Sequence, residues 1–87
     1  MKHHGGTYYT VKATNGYSGL CTTPDSEKSI ESSRILIDET NARAVQRGYK
    51  VKQYGIFLVN WHRWYNGDAL VMSEENESLV ETYPAEL

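Results

Sequence analysis

Residues 52–65, Lys-Gln-Tyr-Gly-Ile-Phe-Leu-Val-Asn-Trp-His-Arg-Trp-Tyr, restrict the fold more than any other segment. The run is aromatic and β-branched without helical spacing of its apolar residues, so it reads as one long strand. Successive side chains on a strand point to opposite faces. One face then shows Phe57, Val59, Trp61, Arg63 and Tyr65; the other shows Tyr54, Ile56, Leu58, Asn60, His62 and Trp64. Both faces begin apolar and both carry a Trp near the end. A single helix hides only one face of a small sheet, so something else must cover the second face, or an aromatic patch stays exposed.

The flanking segments supply the rest of the sheet. Asn66-Gly67-Asp68 is the best hairpin turn in the chain, and Ala69–Met72 is the returning strand. After Ser73 two readings compete. Glu74–Glu77 forms a second turn before a strand over Ser78–Tyr83, which its Val and Thr favour, or Ser73 caps a short helix. Pro84 ends the element in either case, leaving residues 84–87 as a tail. At the other end, residues 1–6 read as a flexible start. Thr7–Ala13 reads as a strand with Tyr9, Val11 and Ala13 on one face. Asn15-Gly16 signals a turn, with residues 17–22 following as a short return strand or as loop.

Thr23-Pro24 predicts a helix start, with Asp25 and Glu27 in the first turn and Gly48 as the stop. Within it Ile30, Ile37, Ala44 and Val45 share a face, joined by Ser33 and Asn41. A competing reading makes residues 34–37 a strand, but no Gly or Pro interrupts residues 25–47, and that favours one long helix. The expected fold is a single α+β domain over residues 1–87: a small antiparallel β-sheet of three to four strands with one long helix packed on one face.

A chain of 87 residues builds only a modest core, to which 7 Tyr, 2 Trp and 1 Phe contribute large buried areas. A lone Cys21 excludes an internal disulfide, and the longest apolar run, Ile56–Val59, is too short to span a bilayer. These features lead to the expectation of a cytoplasmic, non-membrane protein. The net charge of −2 is strongly segregated. Residues 1–39 carry −1, residues 40–65 carry +5 and residues 66–87 carry −6. Such asymmetry marks a nucleic-acid patch, an acidic mimic, or two elements that neutralise one another.

No motif fixes a reaction. His62 has no Ser, Cys or carboxylate at a spacing that makes a nucleophile–base pair, and a histidine satisfied by its neighbours is the simpler reading. Adjacent His3 and His4 lack a third ligand, and Glu74, Glu75 and Glu77 lack the alternating oxygens and Gly of a calcium loop, so neither a metal nor another cofactor is expected. Trp61 to Tyr65 supplies Trp, Tyr and Arg, the types most enriched at interface hot spots. Strand alternation divides that segment into the ends of two patches. Phe57, Val59 and Trp61 make the better core face, which leaves Asn60, His62 and Trp64 as the expected partner-binding side, with Arg63 and Tyr65 beside them.

In size, acidity and tyrosine content the chain is similar to the small single-domain inhibitors that phages and mobile elements encode, anti-CRISPR proteins among them. The resemblance covers no motif and assigns no residue; what it implies is protein binding. The expected function is therefore a non-enzymatic protein-interaction module, an inhibitor or adaptor that engages another protein or a second copy of itself as a homodimer. The alternative is a single-stranded nucleic-acid-binding domain, with bases stacking on Trp61, Trp64 or Tyr65 and phosphates met by Arg43, Arg47, Lys50, Lys52 and Arg63. An uncharacterised enzyme ranks third, because a domain this small rarely builds a deep pocket.

Overall fold

The computed structural model describes residues 1–14 and 28–86. The expected turn and return strand over residues 15–22, Cys21, and the Thr23-Pro24 helix start all lie outside them. The described elements are β1 (Lys2–Ala13), α1 (Ile30–Gln46), β2 (Tyr54–Asn66) and β3 (Ala69–Tyr83). They form one antiparallel sheet in the order β1-β2-β3, with the helix on one face. The fold is a small α+β arrangement, as expected.

Three boundaries differ from the sequence reading. β1 begins at Lys2 and takes in residues 2–6, the stretch expected to be a flexible start, because Lys2–Gly6 pair residue by residue with Tyr65–Trp61. β3 is one strand of 15 residues; neither a turn nor a helix interrupts it at Glu74–Glu77, which pair with His62, Trp61, Asn60 and Val59. The described helix begins at Ile30, with Ser29 as its N-cap. Ser29 is extended, with φ −150° and ψ 162°. Its hydroxyl accepts from Ser32 N–H at 3.0 Å, and the Ser32 hydroxyl accepts from Ser29 N–H at 3.3 Å. This reciprocal cap satisfies two otherwise orphaned donors and fixes the first turn there.

The other punctuation marks act as expected. Gly48 takes φ 85°; its N–H donates to Val45 O at 3.0 Å and Tyr49 N–H to Ala44 O at 2.9 Å, a Schellman closure of the helix. Gly67 takes φ 63° at the first central position of the two-residue β2–β3 turn, a conformation only glycine adopts freely.

The helix packs on the face of β2 opposite to the one expected. Val11, Ile37, Tyr54 and Ile56 form the buried cluster, with Tyr9, Ala13, Ile30, Leu36 and Tyr83 packed against it. The β1–β2 register explains this. Tyr9, Val11 and Ala13, the apolar face of β1, pair with Leu58, Ile56 and Tyr54, so both strands present their apolar residues on one side. Phe57 and Trp61 lie on the far side and are only half-buried, although Val59 there is fully buried. On the helix, Ser33, Ile37 and Asn41 are buried as the stripe requires, whereas Val45 is exposed.

Polar contacts fasten the helix. Asn41 is 7% exposed; its Nδ2 donates to Lys52 O at 2.9 Å while its Oδ1 accepts from Lys52 N–H at 3.0 Å. Arg34 forks onto Glu81, with Nε–Oε2 at 2.6 Å, and Tyr83 O–H donates to Asp38 at 3.0 Å. Hydrogen bonding from Arg34 holds the half-buried Glu81 carboxyl below its ordinary value. A depressed carboxyl pKa contributes stability above the ordinary carboxylate range, and that contribution is lost as pH falls. Urea midpoints measured across that range are expected to fall less steeply on acidification in Glu81→Gln than in the parent, and the difference is small because the pair lies at the surface, open to solvent screening.

One buried group lacks compensation. Thr10 is 6% exposed, and its hydroxyl has no hydrogen-bond partner among the described residues. Replacing an orphaned hydroxyl with a methyl of similar shape removes a desolvation cost. Thr10→Val is therefore expected to raise stability by about 1 kcal/mol, read as a higher urea midpoint at unchanged slope.

Candidate functional site

The buried cluster draws on residues 9–13 of β1 and 54–56 of β2, so the helix serves one end of the sheet. Past it β1 continues for seven residues and β2 for ten, and the molecule is 52 Å long against 22 and 21 Å in the other directions. Residues 2–6, 61–66 and 69–74 form this far end, an arm of sheet remote from the buried cluster. The whole Trp61–Tyr65 segment lies in it.

On the helix-side face of the arm, His3, His62 and Trp64 make one stack. The imidazole centroids are 5.1 Å apart at 17°, and Trp64 lies 5.0 Å from His3 and 5.8 Å from His62. Gly5, which pairs with His62, makes room for it: a Cβ there would meet His62 Nδ1 at 3.0 Å. His3 Nε2 and His62 Nδ1 are 2.9 Å apart and share a hydrogen bond, which requires at least one neutral ring.

The opposite face carries a different set. The Arg63 guanidinium lies over the Trp61 ring at 4.9 Å, and His4 meets Tyr65 edge-on at 5.5 Å. Gly6 leaves room for the indole, since a Cβ would approach it to 3.2 Å. Lys2, His4, Trp61, Arg63, Tyr65 and Asp68 line an open groove of about 410 Å³.

The expected partner-binding residues are thus near in space but divided. Asn60, His62 and Trp64 share the helix-side face, and Arg63 and Tyr65 point to the groove. The expected nucleic-acid set is not assembled. Arg43 lies in the last turn of the helix with Arg47 as its C-cap, and Lys50 and Lys52 are in the connection to β2. Arg63 stands near the far end of β2, roughly 30 Å along the strand from its start. The acidic segment also meets different bases from those in 40–65: Lys12 Nζ bonds Glu77 at 2.6 Å, and Arg34 takes Glu81.

The sequence reading missed the continuity of the outer strand through Glu74–Glu77. β3 is exposed from Ala69 to Val80, with Leu70, Val71, Met72, Leu79 and Val80 each about half exposed or more. The signal for it is present: no Gly or Pro occurs between residues 69 and 83. Among the described residues no three His, Cys, Asp or Glu side chains converge as metal ligands, and no described helix is long and apolar enough to cross a membrane. No protein-family model, curated protein or solved structure matches the chain.

Proposed function

We propose that this chain is a non-enzymatic protein-interaction module, cytoplasmic in setting, that engages a partner through the arm of its sheet. The observation that carries the reading is the extension of three strands beyond the helix with both faces furnished with aromatic rings. A stretch of sheet remote from the core adds little to folding and exposes backbone and apolar area, which fits a surface kept for binding. Trp61, Arg63 and Tyr65 on one face, and Asn60, His62 and Trp64 on the other, are the contact residues of this reading. The similarity in style to phage-encoded inhibitors supports an inhibitor or adaptor role.

A photo-crosslinking side chain at position 65 tests it, with the same group at exposed Val45 on the helix as the control. Adducts with one defined protein at position 65 and not at position 45 support the module. Equal adducts at both positions, or none, contradict it. Sedimentation equilibrium on the same samples tells a second copy from a foreign partner.

The groove favours a second reading. Lys2 and Arg63 beside Trp61 and Tyr65 combine phosphate-binding and base-stacking groups in one place. Asp68 in the groove and Glu75 opposite Trp61 weigh against a polyanion, as does the net charge of −2. Titrating tryptophan fluorescence with single-stranded DNA and RNA at low salt separates the two. Quenching that Arg63→Ala abolishes would move the site to nucleic acid.

A further inference from the structure

We infer that the outer edge of β3 between Met72 and Leu79 takes an extended, basic segment of a partner protein as a fourth strand. This rests on the protein-interaction reading above and adds the position and chemistry of the contact. Three observations carry it.

The first is the edge itself. In the order β1-β2-β3 the last strand is hydrogen-bonded to β2 on one side only, among the described residues. Such an edge presents a row of N–H and C=O groups that another strand can use, the basis of β-augmentation. The second is a defined length. Pairing with β2 skips one residue at Val71 and one at Val80, so Met72–Leu79 is the stretch matched one to one, from Trp64 to Phe57. Bulges twist and interrupt an edge, so regular pairing is available to about eight residues. The third is charge. That window holds Glu74, Glu75 and Glu77, and no base occurs from residue 66 to the end of the chain. Glu74 lies on the face of His62 and Glu75 and Glu77 on the face of Trp61, so carboxylates flank the edge on both sides. Glu77 engages Lys12, while Glu74 and Glu75 form no ion pair among the described residues.

The same charges select against a second copy. Pairing the window antiparallel with itself sets Glu77 opposite Glu74 or Glu75, and like charges directly across a ladder are unfavourable. A strand with Lys or Arg at alternate positions meets the opposite condition. Exposed Met72 and Leu79 offer apolar contacts at the two ends.

The test uses the ¹⁵N-labelled full chain at low salt and an octapeptide of alternating Lys and Val. Its Glu/Val counterpart and a backbone N-methylated Lys/Val form are the controls. The expected result is amide shifts confined to Ser73–Ser78 with the Lys/Val peptide alone, weakened about tenfold by the double variant Glu74→Lys, Glu75→Lys. If that variant melts early, Glu74→Gln, Glu75→Gln takes its place, with a smaller weakening. Shifts of equal size with the Glu/Val peptide would overturn the inference. So would shifts at the groove instead of the edge, or concentration-dependent dimers that hide the Ser73–Ser78 amides. Failure here with position-65 crosslinks intact removes the edge inference alone; loss of both removes the interaction reading as well.

Discussion

Ile56→Ala is expected to lower the stability of the fold by about 3 kcal/mol, the middle of the range for removing most of a buried aliphatic side chain. Ile56 is fully buried near the start of β2, paired with Val11 and covered by Ile37 and its neighbours. The buried cluster is small, with four members, so little neighbouring structure can relax into the cavity. In a domain of this size that loss corresponds to a fall in melting temperature of roughly 15 °C. The same truncation at exposed Val80 is expected to stay within about 0.5 kcal/mol. Chemical denaturation of both variants checks the pair. Comparable losses would mean that the core does not lie where β1, β2 and the helix meet.

Asn41→Ala is expected to cost about 2 kcal/mol, more than its small apolar area would suggest. The amide bonds both backbone groups of Lys52 and so stands in for a strand partner to the segment entering β2. Removing it leaves a carbonyl and an N–H without their partner in a partly buried place, and the desolvation of those groups sets the cost. Asn41→Asp keeps the acceptor for Lys52 N–H but sets a carboxylate oxygen against Lys52 O in a buried place, so it should cost at least as much as Asn41→Ala. Faster amide exchange at Lys52 and Gln53 in Asn41→Ala would trace the loss to that contact.

Much of the architecture was legible in local chemistry. Gly48 and Asn66-Gly67 mark the helix end and the hairpin because positive φ is a property of the residue itself. The helix stripe is recognisable even with Ser33 and Asn41 in it, since both polar residues are buried for hydrogen bonds that their side chains make. The face of β2 that meets the helix was not legible, because Phe57, Val59 and Trp61 are as apolar as Tyr54, Ile56 and Leu58. Only the register with β1 decides it, and register is a long-range property. The continuity of β3 was misread for a related reason. Glu-rich residues 74–77 have low strand propensity, and pairing with Trp61 and His62 overrides it. At the candidate site, alternation correctly divides Trp61–Tyr65 between two faces, but His3 and His4 come to it from the other end of the sequence.

The arm, and not the helix-covered end, is the proposed partner-binding surface, and isothermal titration of the protein captured through position 65 against two variants of matched stability distinguishes the two. Trp64→Ala is expected to weaken binding by at least about tenfold, as truncation of an aromatic anchor does. Ile35→Ala, on the exposed face of the helix, should leave it unchanged. Binding that survives Trp64→Ala and is lost with Ile35→Ala would contradict the assignment and place the surface on the helix.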